Sequence, residues 1–397
     1  MSRSFEYARS LILNNITQLP PETVPLLESF GRALAVDISA PFDLPRFDNS
    51  AMDGFAVRSE DCQRPEVTLQ ITGYIPAGGR GEPSLTQGCA VKIMTGGPIP
   101  TGCNAVVPFE EAEERETEVI IHGPVNSLDH IRFRGEDIRQ NDLTMSTGSA
   151  LRPAAINMLA SFGYVEIPVY RKAKVAILST GDELIELGDP LSSDVVVNSN
   201  SWSLAAAVHE LGAEPVMLGI ARDNHASLRD KLTAGLEYDA LITSAGVSAG
   251  DRDFVREVLA ELDVKQLFWK VDIKPGRPTT FSLKGTTPVF SLPGNPVSSM
   301  ITFEQFVRPA LLKMMGHRQV IKPLFKATLK EATRKKPGRV QFMRVFITNE
   351  NGELTINSSG DQNTGIVCTM LRANGIAILP AERDFFAAGE TVTVQFI

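Results

Sequence analysis

Short apolar runs alternate with amphipathic segments between residues 173 and 316. The runs predict strands, and the segments whose apolar residues recur at helical spacing predict helices. The predicted strands are 175–178, 216–220, 240–242, 267–273, 280–283 and 289–292, and the predicted helices are 203–211, 226–236, 254–262 and 297–315. This alternation predicts a doubly wound, mostly parallel sheet with helices on both faces. In such a sheet, ligands bind beyond the carboxyl ends of the strands.

The flanking segments have different patterns. Residues 49–130 consist of short apolar runs broken by glycine and proline, which predicts a β-rich domain, and residues 323–397 predict a second β domain. Helices are predicted at 5–12, 24–30 and 153–162. We expect an α/β multidomain protein with four domains: a small helical and irregular domain (1–45 plus 139–170), an inserted β-rich domain (46–138), the α/β domain (171–318) and a C-terminal β domain (319–397).

Length, charge and cysteine content exclude several classes of protein. A length of 397 residues suits several domains, and a net charge of −8 gives no general attraction to nucleic acid or to an anionic membrane. The four cysteines form no C-x-x-C pair, which argues against zinc and against a disulfide framework. The sequence has no apolar run of about 20 residues. We therefore expect a cytoplasmic protein.

Five loops that follow predicted strands are rich in glycine, hydroxyl and charged residues: 179–184, 221–224, 243–253, 274–278 and 293–298. Small residues and helix N-termini suit phosphate. Glu183, Asp223 and Asp253 suit a divalent cation, while Lys274 and Arg277 supply positive charge. Each loop alone is explained as well by a turn or a cap, and Asp253 can simply cap the helix after it. Five such loops at one sheet edge predict a binding site.

Seven motifs in this order resemble those of the molybdopterin molybdenumtransferase family, the MoeA-type enzymes that include the E domain of gephyrin. They are DNSAMDGFAV (48–57), MTGG (94–97), GEDI (135–138), STGDEL (179–184), GVS (246–248), KPGRP (274–278) and PGNPVS (293–298). The resemblance covers essentially the whole chain. It implies a four-domain protomer whose α/β domain is similar to the molybdopterin adenylyltransferases (MogA-like), and a homodimer with clefts built from both subunits.

The resemblance also implies a reaction. Such enzymes insert molybdate into adenylylated molybdopterin and release AMP in a step that depends on Mg²⁺. Molybdate and adenylylated molybdopterin are the expected substrates. A molybdopterin adenylyltransferase and molybdoenzyme acceptors are the expected further partners, with no nucleic acid and no membrane.

Carried over motif by motif, the resemblance implies three sets of site residues. The catalytic set is Asp53, Thr95, Asp137, Glu183, Asp223 and Asp253; Glu183, Asp223 and Asp253 also bind the metal, and Asp53 and Thr95 act from the dimer partner. The substrate set is Ser179, Thr180, Gly181, Ser244, Gly246, Val247, Ser248, Gly250, Pro293, Gly294 and Asn295. The molybdate set is Lys274, Arg277, Ser298 and Arg344, with Thr364 in place of the usual serine.

Two departures and two alternatives accompany this interpretation. Ala245 stands where a glycine pair is frequent in the family, which is tolerated if its φ is negative. Arg277 replaces a common lysine, which keeps the charge and changes the geometry. The central domain alone would suit a molybdopterin adenylyltransferase, and a non-catalytic dimeric scaffold like gephyrin is the alternative outside the enzymes. The flanking domains with Asp53 and Asp137, and the charged loops, favour the transferase.

Overall fold

The computed structural model describes residues 2–64, 66–79, 83–246 and 254–397. Val247, Ser248, Gly250 and Asp253, which the sequence analysis assigned to the site, lie outside the described residues. The chain forms two compact units. The larger consists of Met1–Val36, Thr147–Asn157 and Val165–Ile397, and the smaller of Asp37–Ser146 and Met158–Tyr164. The finer division into four domains stays a prediction.

The elements are numbered along the chain. The strands are β1 (Pro21–Pro25), β2 (Ile38–Ser39), β3 (Asn49–Ser50), β4 (Gly54–Val57), β5 (Val67–Ile75), β6 (Cys89–Ile93), β7 (Ala105–Pro108), β8 (Ala112–Glu114), β9 (Glu118–Ile121), β10 (Ile131–Arg132), β11 (Leu143–Met145), β12 (Glu166–Tyr170), β13 (Lys174–Thr180), β14 (Leu184–Ile185), β15 (Val196–Val197), β16 (Glu214–Ala221), β17 (Ala240–Ser244), β18 (Lys265–Trp269), β19 (Ile273–Lys274), β20 (Thr280–Lys284), β21 (Thr287–Leu292), β22 (Phe325–Leu329), β23 (Thr333–Arg334), β24 (Val340–Glu350), β25 (Glu353–Ser358), β26 (Gly375–Leu379), β27 (Phe385–Phe386) and β28 (Thr391–Phe396). The α-helices are α1 (Phe5–Asn14), α2 (Pro153–Ser161), α3 (Ser199–Glu210), α4 (His225–Gly235), α5 (Phe254–Glu261), α6 (Pro296–Thr302), α7 (Arg308–Met314) and α8 (Cys368–Arg372).

The larger unit contains a six-stranded sheet in the order β16-β13-β17-β21-β20-β18. The first four strands pair in parallel, and only β20 runs in the opposite direction, antiparallel to both β21 and β18, which confirms the mostly parallel sheet. Successive side chains of β13 point to opposite faces, so Val175 and Ile177 enter one core while Ala176 and Leu178 enter the other. Apolar residues of α3 and α6 belong to the first core, and those of α4 and α5 to the second. Both faces are therefore covered, as a parallel sheet requires.

The C-terminal strands close into a small barrel. The order is β24-β25-β22-β28-β26, and β26 pairs back onto β24. Closure is possible because β24 has 11 residues and pairs with β26 at one end and β25 at the other. A ring of this kind leaves no free edge among its five strands. β19 adds to β24 in parallel and brings the 274–278 loop to the barrel.

Two predicted elements near these sheets were wrong. Instead of a helix, residues 24–30 contain the last two residues of strand β1 and a 3₁₀ turn at Leu26–Ser29. Pro25 explains the difference, because proline disfavours the helical conformation of the residue before it and lacks an N–H. The predicted strand 267–273 is divided into β18 and β19, because Lys270 has a φ of 73° and turns the chain from one sheet to the other.

The smaller unit has its own six-stranded sheet, in the order β7-β4-β6-β5-β9-β8. Its core includes Phe55, Leu69, Val107 and Val119. This sheet confirms the β-rich character predicted for the segment. The short pairs β2–β11 and β3–β10 lie at the chain ends of the unit.

The state of the four cysteines bears on the expectation that the chain has no disulfide framework. All four cysteines are free thiols, and burial raises the pKa of Cys62 and Cys103 to about 11. These two thiols are therefore protonated at neutral pH.

Over the described ranges, no helix combines the length and apolar character needed to cross a bilayer.

Ala245, directly after β17, does not meet the condition set by the sequence. Its φ is 74°, in the left-handed region that L-residues avoid. The backbone is held there by a hydrogen bond from Ala245 N to Leu292 O of 3.1 Å. The strain is therefore a cost that the flanking strands impose.

We predict that Ala245→Gly stabilises the chain by about 1 kcal/mol, because relief of the left-handed strain exceeds the extra entropy of an unfolded glycine. Urea unfolding of wild type and variant measures this. Ala206→Gly, in the middle of helix α3, is the matched control and should destabilise by roughly 1 kcal/mol. Equal destabilisation by both substitutions would contradict the strain assigned to Ala245.

Candidate functional site

The register of three parallel strands brings the predicted loops to one edge of the sheet. Ser179 of β13 lies opposite Ser244 of β17, and Ser244 lies opposite Leu292 of β21. The loops that follow these strands therefore leave the sheet side by side, as parallel pairing requires. This is the edge at which doubly wound sheets bind ligands.

A cavity of about 180 Å³ lies at this edge. It is lined by Ser179, Glu183, Leu184, Val196, Val197, Asn198, Ser199, Asn200, Ser244, Ala245, Gly294 and Pro296. Four of the predicted site residues are thus brought together: Ser179, Glu183, Ser244 and Gly294. Thr180, Gly181, Gly246, Pro293 and Asn295 belong to the same loops and are not part of this lining.

Asn200 joins two of the loops across the cavity. Its Nδ2 donates to Ser244 Oγ at 2.9 Å and to the Gly294 carbonyl at 2.7 Å. Beside it, Ser179 Oγ and Ser201 Oγ are 2.8 Å apart and hydrogen-bonded. The wall of the cavity is therefore a hydrogen-bonded set of hydroxyls and amides, suited to a polar ligand.

The Glu183 loop is fixed by hydrogen bonds to its carbonyls. Gly181, at the start of this loop, has a φ of 149°, which favours glycine, and a Cβ there would displace the exposed Glu183 carboxylate. Arg222 Nη1 donates to the carbonyls of Asp182 at 3.1 Å and Leu184 at 3.0 Å. Val196 N adds a bond of 2.9 Å to the Glu183 carbonyl. The loop is thus held at both ends.

Asp223, the second predicted metal ligand, lies in the adjacent loop. Its backbone N–H donates to Asp182 Oδ1 at 3.1 Å. Within the residues that the structure describes, no group of three or more His, Cys, Asp or Glu could hold a metal ion. Glu183 and Asp223 are nevertheless the donor type that Mg²⁺ prefers, and Mg²⁺ commonly takes one or two protein carboxylates together with substrate phosphates. In donor type, these two carboxylates suit that ion.

Arg344, which the resemblance places in the molybdate set, lies on strand β24 of the barrel. Its side chain is fully buried, with Nε donating to Thr369 Oγ1 at 2.8 Å and Nη2 donating to the Asp361 carbonyl at 2.8 Å. Burial lowers the pKa of Arg344, and the Asp361 charge opposes that shift. The guanidinium holds the 361–363 loop through Nη2, while its buried Nη1 has no hydrogen-bond partner among the described residues.

The other predicted molybdate residues have different exposures. Lys274 and Arg277 are exposed, Ser298 is buried and Thr364 is half-buried. Lys274 pairs with Gln341 on β24, the strand that carries Arg344. None of these residues lines the described cavity of about 180 Å³.

In the smaller unit, Asp53 and Thr95 are joined. Asp53 Oδ1 accepts from Thr95 N at 2.7 Å and from Thr95 Oγ1 at 2.8 Å. These two hydrogen bonds, that of the backbone N–H first, lower the pKa of Asp53 below its usual range. Asp137 is exposed, and its backbone N–H donates to the Leu44 carbonyl at 3.1 Å.

The sequence analysis missed Asn198, Asn200 and Arg222. The first two lie at the start of α3, which begins four residues before the predicted helix 203–211. A signal was present, because Asn-Ser-Asn after an apolar run is typical of a helix start. No sequence pattern marked Arg222, since its role in holding the Glu183 loop depends on the carbonyls of that loop.

A larger cavity of about 890 Å³ lies elsewhere in the same unit. Its lining includes Arg152, Arg308, His317 and Arg318, and no predicted site residue. Size alone therefore does not identify the site. The sheet edge, with its converging polar loops, remains the candidate.

Comparison with known proteins covers nearly the whole chain. Three family models match: "MoeA N-terminal region (domain I and II)" at residues 3–163, "Probable molybdopterin binding domain" at 176–313 and "MoeA C-terminal region (domain IV)" at 326–397. A molybdopterin molybdenumtransferase of Haemophilus influenzae is 37% identical over 99% of this chain and 98% of that protein. One from Staphylococcus aureus is 34% identical over 96% and 93%.

A solved structure of a MoeA protein has the same fold along the whole chain. The crystal structure of the molybdopterin biosynthesis MoeA protein from Pyrococcus horikoshii matches with a TM-score of 0.86 and 31% identity, covering 100% of both chains. The fold and the matches define a multidomain transferase of molybdenum cofactor biosynthesis. The chain belongs to the molybdopterin molybdenumtransferase family, which confirms the resemblance seen in the sequence.

The Asp53–Thr95 contact generates a prediction about acid stability. Because the folded-state pKa of Asp53 is lowered, its stabilisation is present above the unfolded-state pKa and is lost as pH falls through the folded-state pKa. Asp53→Asn should therefore lower the free energy of unfolding at neutral pH, and the difference from wild type should shrink in acid. Urea unfolding over a pH series measures it.

Glu116→Gln, which removes one exposed negative charge from the turn between β8 and β9, is the control. We expect it to change the free energy of unfolding little at any pH. A difference between wild type and Asp53→Asn that stays constant from neutral to acid pH would contradict the assigned role of the Asp53 charge.

Proposed function

We propose that this chain inserts molybdate into adenylylated molybdopterin and releases AMP. In that reaction, the two dithiolene sulfurs replace two oxo ligands of molybdate, which leave as water. One water cleaves the phosphoanhydride that links molybdopterin to AMP, so that AMP leaves and molybdopterin keeps its own phosphate. The observation that carries the proposal is the convergence of Ser179, Ser244 and Gly294 with the Glu183 loop at one sheet edge. Membership of the family supplies the substrate class.

The chain's own groups suggest how each part of the substrate is held. Hydroxyls and amides of the cavity bind polar groups of the pterin nucleotide. Glu183 and Asp223, together with Asp253, would hold Mg²⁺, which when bound neutralises negative charge on the phosphates. Lys274 and Arg277 are exposed cations, suited to attract the molybdate oxyanion.

Arg344 takes a different role in this proposal from the one that the resemblance implies. With its guanidinium buried against Thr369 and the Asp361 carbonyl, it positions the loop that ends at Thr364. Thr364 is half-buried at the end of that loop and keeps a hydroxyl available. Arg344 thus acts on molybdate through the loop.

A homodimer also belongs to the proposal. Leu27, Phe30 and Val165 are apolar side chains 80%, 57% and 78% exposed. Leu26 N donates to the Val165 carbonyl at 2.9 Å, so the residues lie in one neighbourhood of the larger unit. An exposed apolar group of this kind supports a protein interface. Cytoplasmic location, a donor adenylyltransferase and molybdoenzyme acceptors stay predictions.

The reaction is tested by single turnover. Purified protein is mixed with adenylylated molybdopterin, molybdate and Mg²⁺, and AMP is followed. We expect wild type to release AMP only with molybdate, and Asp223→Ala to be slower by about 100-fold or more, as for loss of a group that orders transition-state charge. Asp230→Ala, an exposed aspartate of α4, is the matched control and should release AMP at the wild-type rate.

Other results would sink the proposal. AMP attachment in place of release would identify a molybdopterin adenylyltransferase. A folded chain that binds the pterin and releases no AMP would leave the scaffold alternative.

The shared site of the dimer is tested by complementation. Asp53→Ala and Asp223→Ala, each expected to be strongly impaired alone, are unfolded together and refolded as a mixture. If one subunit supplies Asp53 and the other Asp223, each mixed dimer keeps one intact site, and about a quarter of wild-type activity returns. Light scattering reports the dimer mass. Activity that stays absent from a mixture shown to contain mixed dimers would contradict the shared site.

A further inference from the structure

Asn198 occupies the helix-cap position of α3 and does not cap it. Asparagine in this position normally accepts from a backbone N–H of the first helical turn. Here φ and ψ are −65° and 63°, and the side chain makes no capping hydrogen bond. The amide is therefore available for another partner.

The amide is nevertheless buried. Asn198 is 1% exposed, and neither its Nδ2 nor its Oδ1 has a hydrogen-bond partner within the described ranges. Asn198 lines the cavity of about 180 Å³ together with Asn200, whose Oδ1 is also without a partner among the same residues. Buried polar atoms are normally hydrogen-bonded, so these amides point to a ligand.

The backbone of Asn198 is held firmly in place. Asn198 N donates to the Ile185 carbonyl at 2.9 Å, and the preceding strand β15 pairs with β14. Because β14 follows directly after Glu183, the amide is fixed relative to the Glu183 loop. A polar group held this rigidly is suited to recognition.

The two orphan atoms restrict the chemistry of the ligand. A phosphate oxygen only accepts and would leave Oδ1 unsatisfied, whereas a cation would leave Nδ2 unsatisfied. A planar heterocycle edge with a donor beside an acceptor satisfies both, as when asparagine pairs with adenine. The pterin and the adenine of adenylylated molybdopterin both carry such an edge.

We propose that Asn198 is a specificity-determining residue that recognises the heterocycle of the substrate through a two-point amide contact. This inference rests on the proposed function, since that function supplies the heterocycle. It assigns the cavity to a ring, with phosphate groups outside this amide contact.

The test measures Kd of the full chain by calorimetry for three probes: unsubstituted pterin, AMP, and ribose 5-phosphate, which has the phosphate of AMP and no base. Asn198→Leu removes both polar atoms at similar volume. We expect it to weaken either pterin or AMP at least about tenfold, with ribose 5-phosphate unchanged. Loss for pterin identifies the pterin as the recognised ring, and loss for AMP identifies adenine.

Two further variants keep the test sharp. Asn198→Asp, which has the same shape and replaces the Nδ2 donor with a second, negatively charged acceptor, is used in place of the leucine variant if the latter fails to fold. Asn14→Leu, at an exposed position of α1, is the matched control and should bind all probes as wild type does.

Two results would overturn the inference. In one, both Asn198 variants bind pterin and AMP as tightly as wild type, so that protein or ordered water satisfies the amide. In the other, ribose 5-phosphate weakens in parallel with AMP in Asn198→Leu, so that the residue acts on the phosphate. In either case wild type can still release AMP, and the proposed function stands; a wild type that binds the probes and releases no AMP instead counts against that function.

Discussion

The parallel register of β13, β17 and β21 is the constraint on which the rest of the candidate site depends. Ser179, Ser244 and Leu292 are neighbours across three strands, so their loops begin at the same level. The register is strongly specified, because both faces of these strands are buried and a slip of one residue would exchange the two cores. The packing of the two cores thus determines which loop residues lie side by side at this edge.

Cross-loop hydrogen bonds turn adjacent loops into one surface. Asn200 ties the Ser244 and Gly294 loops, and Arg222 ties the Glu183 loop to the end of β16. Each bond uses a side chain of one loop and a backbone or hydroxyl group of another. This arrangement fixes polar groups before a ligand arrives, which reduces the ordering cost of binding.

The barrel shows a different use of buried polarity. The Arg344 side chain donates to Thr369 and to carbonyls of the 361–363 loop. The Gln362 side chain accepts from the backbone N–H of Arg344 and donates to its carbonyl. Burying a charged group is costly unless it is hydrogen-bonded, and here Nε and Nη2 have partners while Nη1 has none among the described residues. The loop next to Thr364 is therefore ordered by the barrel interior, and Lys274 reaches the same sheet through β19.

Much of the molecule follows from the sequence alone. Apolar runs and helical periodicity predicted the mostly parallel sheet and both β-rich regions, since those patterns reflect burial on one or two faces. The ordered motifs predicted the family, and the post-strand loops predicted Ser179, Glu183, Ser244 and Gly294 as neighbours.

Only the tertiary structure decided the remainder. Asn198, Asn200 and Arg222 became site residues through contacts with loops distant in sequence, and Arg344 became buried because β24 closes a barrel. Lys270 and Pro25 changed element boundaries through backbone conformation that periodicity does not encode. The physical reason is common to all of them: local patterns report which residues avoid water, whereas side-chain partners depend on which segments the folded core brings together.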